Sequence, residues 1–269
     1  MNKTKIEWCN STWNPVTGCL HDCEYCYARK IAHRFGRPDT DGTLDPRSGG
    51  KLHEIIEPVT DKETGKRIPY PYEFSPTLHK YRLDEPQKLS EPRTIFVGSM
   101  TDLFGKWVPD DWIEAVFKAC EKAPQHRYLF LTKNPQRYIE LERRFMLPHS
   151  NNMWYGTTAT NNEQFSKAVN SFGKLSSKTK TFLSVEPILE NINAVGVCTP
   201  KKGFCALAFI FGWVIIGAET GNSKNKVIPE KAWIDSICNA ADEAEIPVFM
   251  KDSLIPIVGE ENMRRQFPW

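Results

Sequence analysis

Short apolar strands alternate with amphipathic helices along most of the chain, and this alternation limits its fold more than any other feature of the sequence. Runs rich in β-branched and apolar residues predict strands at 94–98, 127–131, 153–157, 181–185, 213–217 and 247–250. Apolar residues at helical spacing predict helices at 110–123, 135–145, 161–172 and 229–243. A repeat of roughly 25 to 30 residues with this alternation is typical of βαβ units in a parallel sheet.

A further strand near residues 12–16 brings the predicted number of strands to six or seven. That count is too small for a closed eight-stranded barrel. The predicted fold class is therefore α/β, a partial (β/α)6-7 TIM-like barrel of parallel strands. We expect residues 1–269 to form a single domain of this kind, because the length is ordinary for one α/β barrel.

Residues 37–92 interrupt the alternation. Glycine and proline recur throughout this segment, which favours turns and irregular backbone. Its large apolar side chains, among them Tyr70, Tyr72, Phe74 and Tyr81, are too numerous for a plain disordered tether. We expect an irregular insertion that packs as a lid over the mouth of the barrel and keeps water away from a reactive site.

Three cysteines fall within one short segment, Cys19, Cys23 and Cys26, with the spacing C-x3-C-x2-C. Three thiolates so close in sequence can bind one soft metal centre and leave a coordination position open for a ligand. Structural zinc is the alternative, with Cys9 as a better fourth ligand than His21, which lies inside the segment. A redox disulfide fits less well, because the segment holds three cysteines rather than two.

With Tyr25 before the third cysteine, the segment resembles the signature of the radical S-adenosylmethionine (SAM) superfamily. The resemblance implies a [4Fe-4S] cluster on Cys19, Cys23 and Cys26, with a free iron that binds the amino and carboxylate groups of SAM. One electron from the cluster would cleave a carbon–sulfur bond to give methionine and a 5′-deoxyadenosyl radical, which takes a hydrogen atom from a substrate. The resemblance also implies an electron donor such as flavodoxin or ferredoxin.

The resemblance extends over nearly the whole chain to a phage-type family of radical-SAM-like proteins, the gene product thirty-seven / sixty-eight family. The segments similar to that family occur in the same order, at 13–19, 26–28, 96–104, 129–133, 184–187, 213–221 and 248–251. The first cysteine spacing here is the standard radical SAM one, whereas many members of the phage-type family have a longer one. The family usually has another residue at Cys9, which argues against Cys9 as a ligand. Because the family has no settled reaction, it implies a class of chemistry and not a substrate.

Polar residues follow the predicted strands, at the edge where α/β barrels carry their functional groups. Together with Tyr25 of the cysteine segment, the set predicted to bind SAM consists of Gly98, Ser99, Asp102, Lys133, Thr157, Thr158, Ser184, Glu186, Glu219 and Lys251. Charged groups are costly at buried strand ends unless they meet partners, so this concentration favours a polar ligand.

The resemblance to radical SAM proteins implies a role for some members of this set. Gly98 and Ser99 would lie against the SAM amino group, and Lys133 near its carboxylate. Other members, Thr157 and Glu186, would lie near the ribose hydroxyls, with Tyr25 near the adenine. For Lys251 the alternative is a structural salt bridge to Glu219 across neighbouring strand ends.

Basic residues outside this set suggest contacts with a substrate. His79 and Arg82 stand in a segment rich in His, Lys, Arg and Tyr within the predicted lid, a mixture suited to phosphates or bases. The predicted helix after the cysteine segment carries Arg29, Lys30, His33, Arg34 and Arg37. This helix presents either an ordinary solvated basic face or part of a groove for nucleic acid.

Two further cysteines, Cys198 and Cys205, flank a short polar loop. With Cys9 or Cys238 they are candidates for an auxiliary cluster, although a C-x6-C pair alone is weak evidence for one. Free thiols are the simpler interpretation, and one of them would be able to donate a hydrogen atom to a substrate radical.

The composition limits the cellular compartments and the binding partners that we expect for this protein. The chain has 35 basic and 33 acidic residues, a net charge of +2, so any nucleic-acid contact must come from a local basic surface. It contains no apolar run long enough to span a bilayer, and its first residues lack the apolar stretch of a signal peptide. We therefore expect a cytoplasmic protein with no membrane partner, in which most cysteines are metal ligands or free thiols.

Three functions remain open at this stage. The first is a radical SAM enzyme that acts on a nucleic acid base or a nucleotide, by base modification or by repair-like lyase chemistry. The second is a zinc-stabilised nucleic-acid-binding protein of a mobile element, without redox catalysis. The third is a radical SAM enzyme that acts on a protein or peptide.

Overall fold

The structure, a computed structural model, describes residues 1–36, 52–192, 198–199, 204–205, 210–221 and 225–269. The chain divides into two compact units. The first comprises residues 1–5 and 9–131, and the second comprises residues 6–8 and 132–269. The single domain expected from the chain length stays a prediction. No helix among the described residues is long and apolar enough to cross a membrane.

The first unit begins with strands and contains two α-helices among its described residues. Its elements are β1 (Asn2–Lys3), β2 (Ser11–Trp13), β3 (Val16–Thr17), α1 (Tyr27–Phe35), β4 (His53–Ile55), β5 (Thr77–His79), β6 (Thr94–Val97), α2 (Asp110–Glu121) and β7 (Arg127–Thr132), which ends on the first residue of the second unit. Strands β2, β6 and β7 pair in parallel, and β1 pairs antiparallel with β2.

Aromatic and aliphatic side chains from these strands form the core of the first unit. Trp13, Ile95, Tyr128 and Phe130 are completely buried. Helix α2 covers the sheet with its apolar face, and the ring of Phe117 meets that of Phe130 edge to face with centroids 5.5 Å apart. The amphipathic pattern that predicts α2 is therefore the pattern that buries it.

The insertion is more regular than predicted. Strand β5 pairs parallel with β4 and antiparallel with β3, so residues 53–55 and 77–79 belong to a three-stranded sheet. All three residues of β5 are buried. The prediction of an irregular segment is wrong for this part, because glycine and proline counts mask two short strands whose pairing partners lie far away in sequence. Residues 37–51 lie outside the described part of the chain.

The second unit repeats a strand and a helix several times. Its elements are α3 (Gln136–Arg143), β8 (Met153–Thr158), α4 (Asn162–Phe172), β9 (Lys180–Val185), β10 (Cys198–Thr199), β11 (Phe204–Cys205), β12 (Val214–Ile216), α5 (Lys231–Glu243), β13 (Val248–Met250) and α6 (Ile255–Val258). Strands β8, β9, β12 and β13 pair in parallel in that order, while β10 and β11 form a separate antiparallel pair.

These strands are buried along nearly their whole length. Every residue of β8, β12 and β13 is buried, as is every residue of β9 after Lys180. Continuous burial of this kind is typical of parallel strands that helices cover. Three parallel strands in the first unit and four in the second confirm the predicted α/β class, a partial barrel with fewer strands than a closed one.

The side chain of Asn161 caps helix α4, as its sequence position predicts. Its Oδ1 accepts a hydrogen bond from the Gln164 backbone N–H at 2.9 Å. We expect Asn161→Ala to lower the free energy of unfolding by about 1 kcal/mol, because one N–H at the start of the helix loses its acceptor. Urea unfolding followed by circular dichroism measures this loss. Ser166→Ala, on the exposed face of the same helix, is the matched control and should cause no loss; equal losses in both variants would contradict the cap.

Candidate functional site

The backbone holds the start of the cysteine segment on two sides. Gly18 donates its N–H to the Met100 carbonyl at 2.9 Å, and its own carbonyl accepts the Thr101 hydroxyl at 2.6 Å. Cys19 donates its N–H to the Phe74 carbonyl at 3.1 Å. Gly18 has φ +87°, and a Cβ there would lie 2.2 Å from the Ser75 carbonyl oxygen. Only glycine fits this position, so the segment leaves β3 along one fixed path.

The third cysteine begins helix α1. Cys26 is the N-cap residue, and its Sγ accepts a hydrogen bond from the Arg29 N–H at 3.4 Å. Its own N–H returns to the Cys23 carbonyl at 3.1 Å. Cys19 and Cys26 both pack against a small apolar cluster that includes Phe74 and Met100. The segment is therefore a compact loop closed at both ends by hydrogen bonds, with Tyr25 half-buried inside it.

The Cys19 thiol is electrostatically disfavoured as a thiolate when it has no cation beside it. Burial, followed by the Asp102 carboxylate and by smaller contributions from the Cys23 and Cys26 thiols, raises the pKa of Cys19 to about 12. A hydrogen bond from the His21 backbone opposes these effects. Thiols that influence one another in this way are neighbours, and a bound cation would favour the deprotonated form of all three.

The donor atoms of the loop suit an iron–sulfur cluster by type, since three thiols within one loop leave a fourth position open. The arrangement as it stands is not closed around a metal. Among the residues that the structure describes, no three His, Cys, Asp or Glu side chains are grouped so as to hold a metal ion. The Cys26 thiol also serves as the helix cap. An N–H donor of this kind is compatible with metal binding by the same sulfur, since hydrogen bonds to cluster sulfurs are an ordinary feature of iron–sulfur sites.

Asp102, predicted to bind SAM, lies against the cysteine loop. One of its oxygens bonds to His21 Nε2 at 2.7 Å, and the other accepts the Phe104 N–H at 3.0 Å. The His21 ring meets the edge of the Trp107 ring with centroids 4.9 Å apart. Trp107 Nε1 is buried and has no hydrogen-bond partner in the described parts of the chain. These contacts fix His21 between the first two cysteines and give Asp102 a protein partner.

The predicted SAM residues Gly98 and Ser99 form a turn after β6 that Asn14 organises. The Asn14 side chain bonds the Ser99 hydroxyl at 3.1 Å and accepts the Met100 N–H at 2.9 Å. Gly98 has φ +80°, which favours glycine, and the Ser99 carbonyl accepts the Tyr27 hydroxyl at 2.6 Å. The sequence analysis does not single out Asn14 as a site residue. Its dipeptide with Trp13 carried no signal for this role, because its partners are more than 80 residues away.

His79 and Arg82, predicted to touch substrate, have protein partners. His79 is completely buried in β5, with Nε2 2.8 Å from the Thr17 hydroxyl and Nδ1 3.3 Å from the Tyr81 hydroxyl. Arg82 is half-buried and donates to the Asn14 carbonyl at 2.9 Å. Burial, reinforced by nearby arginines, lowers the pKa of His79 to about 2. Both residues hold the insertion onto the first unit, and a substrate role for either stays a prediction.

In the second unit, two of the predicted SAM residues form an ion pair. Lys251 Nζ contacts Glu186 Oε1, and both side chains are largely buried. Gly217 lies beneath the pair, where a Cβ would be 3.1 Å from the lysine side chain and 3.3 Å from the glutamate. The sequence analysis gave a structural salt bridge between Lys251 and Glu219 as the alternative to SAM binding. That pairing is wrong, because the partner of Lys251 is Glu186. Glu219 instead accepts the Val227 N–H at 3.4 Å.

Glu7, which the sequence analysis does not single out, lies close enough to this ion pair to feel the charges of both its members. Its Oε1 accepts the Asp252 N–H at 3.2 Å, while Oε2 is buried without a hydrogen-bond partner in the described part of the chain. Burial raises the pKa of Glu7, and the charge of Lys251 opposes this. Its position between β1 and β2 gave no pattern that could have predicted this contact.

The remaining predicted residues of the second unit follow β7, β8 and β9. Thr157, Thr158 and Ser184 are buried, and the Thr157 hydroxyl donates to the Thr132 carbonyl at 3.0 Å. Lys133 is half-buried. Each lies within or just after a strand, as the sequence pattern predicts, and their binding of SAM stays a prediction.

Two sequence predictions fall on parts of the chain that are not described. Arg37 lies outside the described residues, as do the side chains of Cys198 and Cys205. Of their suggested partners, Cys9 is half-buried and Cys238 is buried. Burial raises the pKa of Cys238 to about 11, so it is a protonated thiol near neutral pH.

The fold is that of spore photoproduct lyase. A cysteine-to-serine variant of that protein aligns with 93% of this chain and 78% of its own, with a TM-score of 0.54 and 11% identity. A double variant with bound AdoMet (SAM) and dinucleoside spore photoproduct gives a TM-score of 0.55 at 10% identity. The complex with dinucleoside spore photoproduct gives 0.56 at 10% identity, and both complexes cover the same shares of the two chains. At such low sequence identity, structural similarity establishes the fold and does not establish the activity.

The chain belongs to the family described as "Protein of unknown function (DUF5131)", whose sequence profile matches residues 3–255. No curated protein matches the sequence. The phage-type origin suggested by the sequence motifs is not part of these findings and stays a prediction.

The tight contact at Gly18 predicts a large effect of a single methyl group. We expect Gly18→Ala to lower the free energy of unfolding by more than about 3 kcal/mol, because the residue combines positive φ with a backbone oxygen in the way. Gly65→Ala is the matched control. Gly65 also has positive φ but has nothing within 4 Å of the new Cβ, so the loss should be about 1 kcal/mol. Urea unfolding distinguishes the two, and similar losses would contradict the clamp.

The lowered pKa of His79 predicts a pH-dependent stability. The unfolded imidazole binds a proton below about pH 6.5, whereas the folded one stays neutral down to about pH 2. The folded state is therefore fully favoured above pH 6.5 and loses stability as pH falls. From pH 6.5 to 5 the loss due to His79 should be about 2 kcal/mol. The free energy of unfolding of His79→Gln should lack this component, and parallel pH curves for variant and wild type would refute it.

Proposed function

We propose that this protein is a radical SAM iron–sulfur enzyme, in which Cys19, Cys23 and Cys26 hold a [4Fe-4S] cluster. The observation that carries the proposal is the cysteine loop itself. Its C-x3-C-x2-C spacing lies between β3 and α1, in a chain whose fold is that of a lyase known with bound AdoMet. The spore photoproduct lyases are radical SAM enzymes. Neither the fold nor the spacing alone supports the proposal as well as the two together.

Cys19, Cys23 and Cys26 would hold the cluster, and the chemistry that it would supply is one-electron cleavage of SAM to methionine, with 5′-deoxyadenosine formed once a hydrogen atom had been taken from the substrate. The protein's part is to hold the cofactors in place and to exclude water. Gly18 and the helix cap at Cys26 fix the path of the loop, and Asp102 holds the side chain of His21, which lies between the first two cysteines in sequence.

The turn after β6 is proposed to hold the amino group of SAM. Asn14 orients this turn by bonding both the Ser99 hydroxyl and the Met100 N–H, so its shape is set before any ligand arrives. Because this backbone is already ordered, a ligand that binds to it loses little conformational entropy in the protein. Asn14 is therefore a positioning residue in this proposal, and Gly98 and Ser99 supply the contact with SAM.

In the second unit, the ion pair of Glu186 and Lys251 is proposed to bind hydroxyl or carboxylate groups of SAM. A half-buried ion pair satisfies its own charge while the site is empty, and each member retains capacity for a further hydrogen bond. Glu7 adds a carboxylate oxygen without a partner beside it among the described residues. Lys133, Thr157, Thr158, Ser184 and Glu219 complete the proposed set of this unit.

A nucleic acid base or nucleotide is the substrate class that we favour, and the reaction would be base modification or a repair-like lyase step. The support is the likeness in fold to a lyase whose complexes contain a dinucleoside. Electrons would come from a protein such as flavodoxin or ferredoxin. A radical SAM enzyme for a protein or peptide, and a zinc-stabilised nucleic-acid-binding protein, are the alternatives that the experiments below separate.

The decisive experiment compares Cys23→Ala with Cys9→Ser after anaerobic reconstitution with iron and sulfide. The wild type should bind about four irons and form 5′-deoxyadenosine from SAM and dithionite, measured by mass spectrometry. Cys23→Ala should lose both the cluster and the product, because one of three ligands is gone. Cys9→Ser, a change of a half-buried cysteine outside the loop, should retain both.

The zinc alternative gives the opposite pattern. It predicts one zinc per chain, no 5′-deoxyadenosine, and loss of metal from Cys9→Ser as well, because Cys9 would be the fourth ligand. Undiminished SAM cleavage by Cys23→Ala would show that the cluster is assigned to the wrong residues.

A further inference from the structure

We propose that the solvent-facing side of helix α1 binds the phosphate backbone of a single-stranded nucleic acid. The inference rests on the nucleic-acid substrate of the proposed function and assigns that substrate a surface. Lys30 and Arg34 would contact phosphates, and Tyr27 and Phe35 would stack on bases. We call these four residues the α1 stripe.

Two basic residues of α1 have carboxylate partners, and two others do not have one among the described residues. Arg29 is paired with Asp22, and His33 Nδ1 lies 2.9 Å from a Glu73 carboxylate oxygen. Lys30 and Arg34 are exposed, and neither forms an ion pair within the described part of the chain. The sequence alone counts five basic residues near this helix. Of the four that the structure describes, Lys30 and Arg34 are the two without a carboxylate partner there.

The spacing of Lys30 and Arg34 suits a chain of phosphates. Residues four apart lie on the same side of a helix, about 6 Å apart along its axis. Two cations on one side of a helix can therefore contact phosphates of the same strand. Helix α1 contains no acidic residue that would repel the strand.

Exposed aromatic rings accompany these charges. Tyr27 is 52% exposed and Phe35 is 53% exposed, which is unusual for large rings on so short a helix. The Tyr27 ring is held in place by its hydroxyl bond to the Ser99 carbonyl, and the Arg34 guanidinium lies 5.3 Å from the Phe35 ring centroid. Aromatic rings alternating with cations form the usual surface for single strands, since bases stack on rings whatever their sequence.

The α1 stripe begins beside the proposed cluster. Cys26 is the N-cap of α1, and Tyr27 is the first residue of the helix. A strand bound along Lys30 and Arg34 would therefore continue toward the cysteine loop of the same unit. This continuity favours a substrate strand over an unrelated acidic partner.

Charge neutralisation tests the phosphate contacts. We compare Lys30→Gln/Arg34→Gln with Lys118→Gln/Lys122→Gln, which removes two exposed basic residues four apart, one on α2 and one at its C-terminal cap. Binding of a short labelled DNA or RNA strand is measured by fluorescence anisotropy at several salt concentrations. The α1 variant should bind about ten-fold more weakly, and its log–log salt slope should fall by about 1.4, about 0.7 for each of two phosphate contacts on a single strand. The α2 control should match the wild type.

Ring removal tests the stacking independently. Phe35→Ala should weaken binding about five-fold without changing the salt slope, because it removes a stacking surface and no charge. Phe145→Ala, a change of a 98% exposed phenylalanine in the second unit, should have no effect. Equal behaviour of each variant and its control, or tighter binding of duplex than of single strand by the wild type, would overturn the proposal.

The iron content and 5′-deoxyadenosine yield of the same preparations keep this result apart from the proposed function. Absence of strand binding by a wild-type protein that contains iron and cleaves SAM would overturn the α1 stripe alone. Strand binding that depends on Lys30 and Arg34 in a protein without iron would support the stripe and overturn the radical SAM assignment.

Discussion

The hydrogen bonds around Gly18 are the constraint on which the candidate site of the first unit depends. Three backbone positions from three different segments meet there: the start of the cysteine loop, the end of the insertion at 74–75 and the turn at 100–101. Each segment is irregular by itself and owes its shape to the other two. The loop that carries the cysteines is therefore ordered by long-range contacts, which can position thiols before any metal binds.

Charge pairing is the second constraint, because polar groups at buried strand ends need partners when no ligand is present. Asp102 meets this need through His21, and Glu186 through Lys251. A ligand that binds such a pair competes with an existing contact, and gains most when it adds hydrogen bonds without removing the pair. Glu7 differs, because one of its buried oxygens has no hydrogen-bond partner in the described residues, and it is the group that would gain most from a ligand hydroxyl.

The sequence predicts the regular elements well and the site less well. Hydrophobic periodicity is local information, so strands such as β8 and helices such as α4 lie within two or three residues of their predicted bounds. Strands β4 and β5 escaped prediction because they lie in a segment rich in glycine and proline and their pairing is long-range. Asn14, Glu7 and the burial of His79 were missed for the same reason. The cysteine spacing is the exception, since its chemical meaning lies in the local sequence itself.

The charge of helix α1 shows why composition is a poor guide to partners. With 35 basic and 33 acidic residues the chain as a whole neither attracts nor repels a polyanion strongly. What a ligand meets depends on which cations already have carboxylate partners, and Asp22 and Glu73 remove two candidates from α1 without altering the helix. Screening limits the reach of an exposed charge to about 10 Å at ordinary salt, so the two remaining cations act only on a strand lying directly along them. A local, unneutralised pair can thus recognise a strand that the net charge of the protein would never suggest.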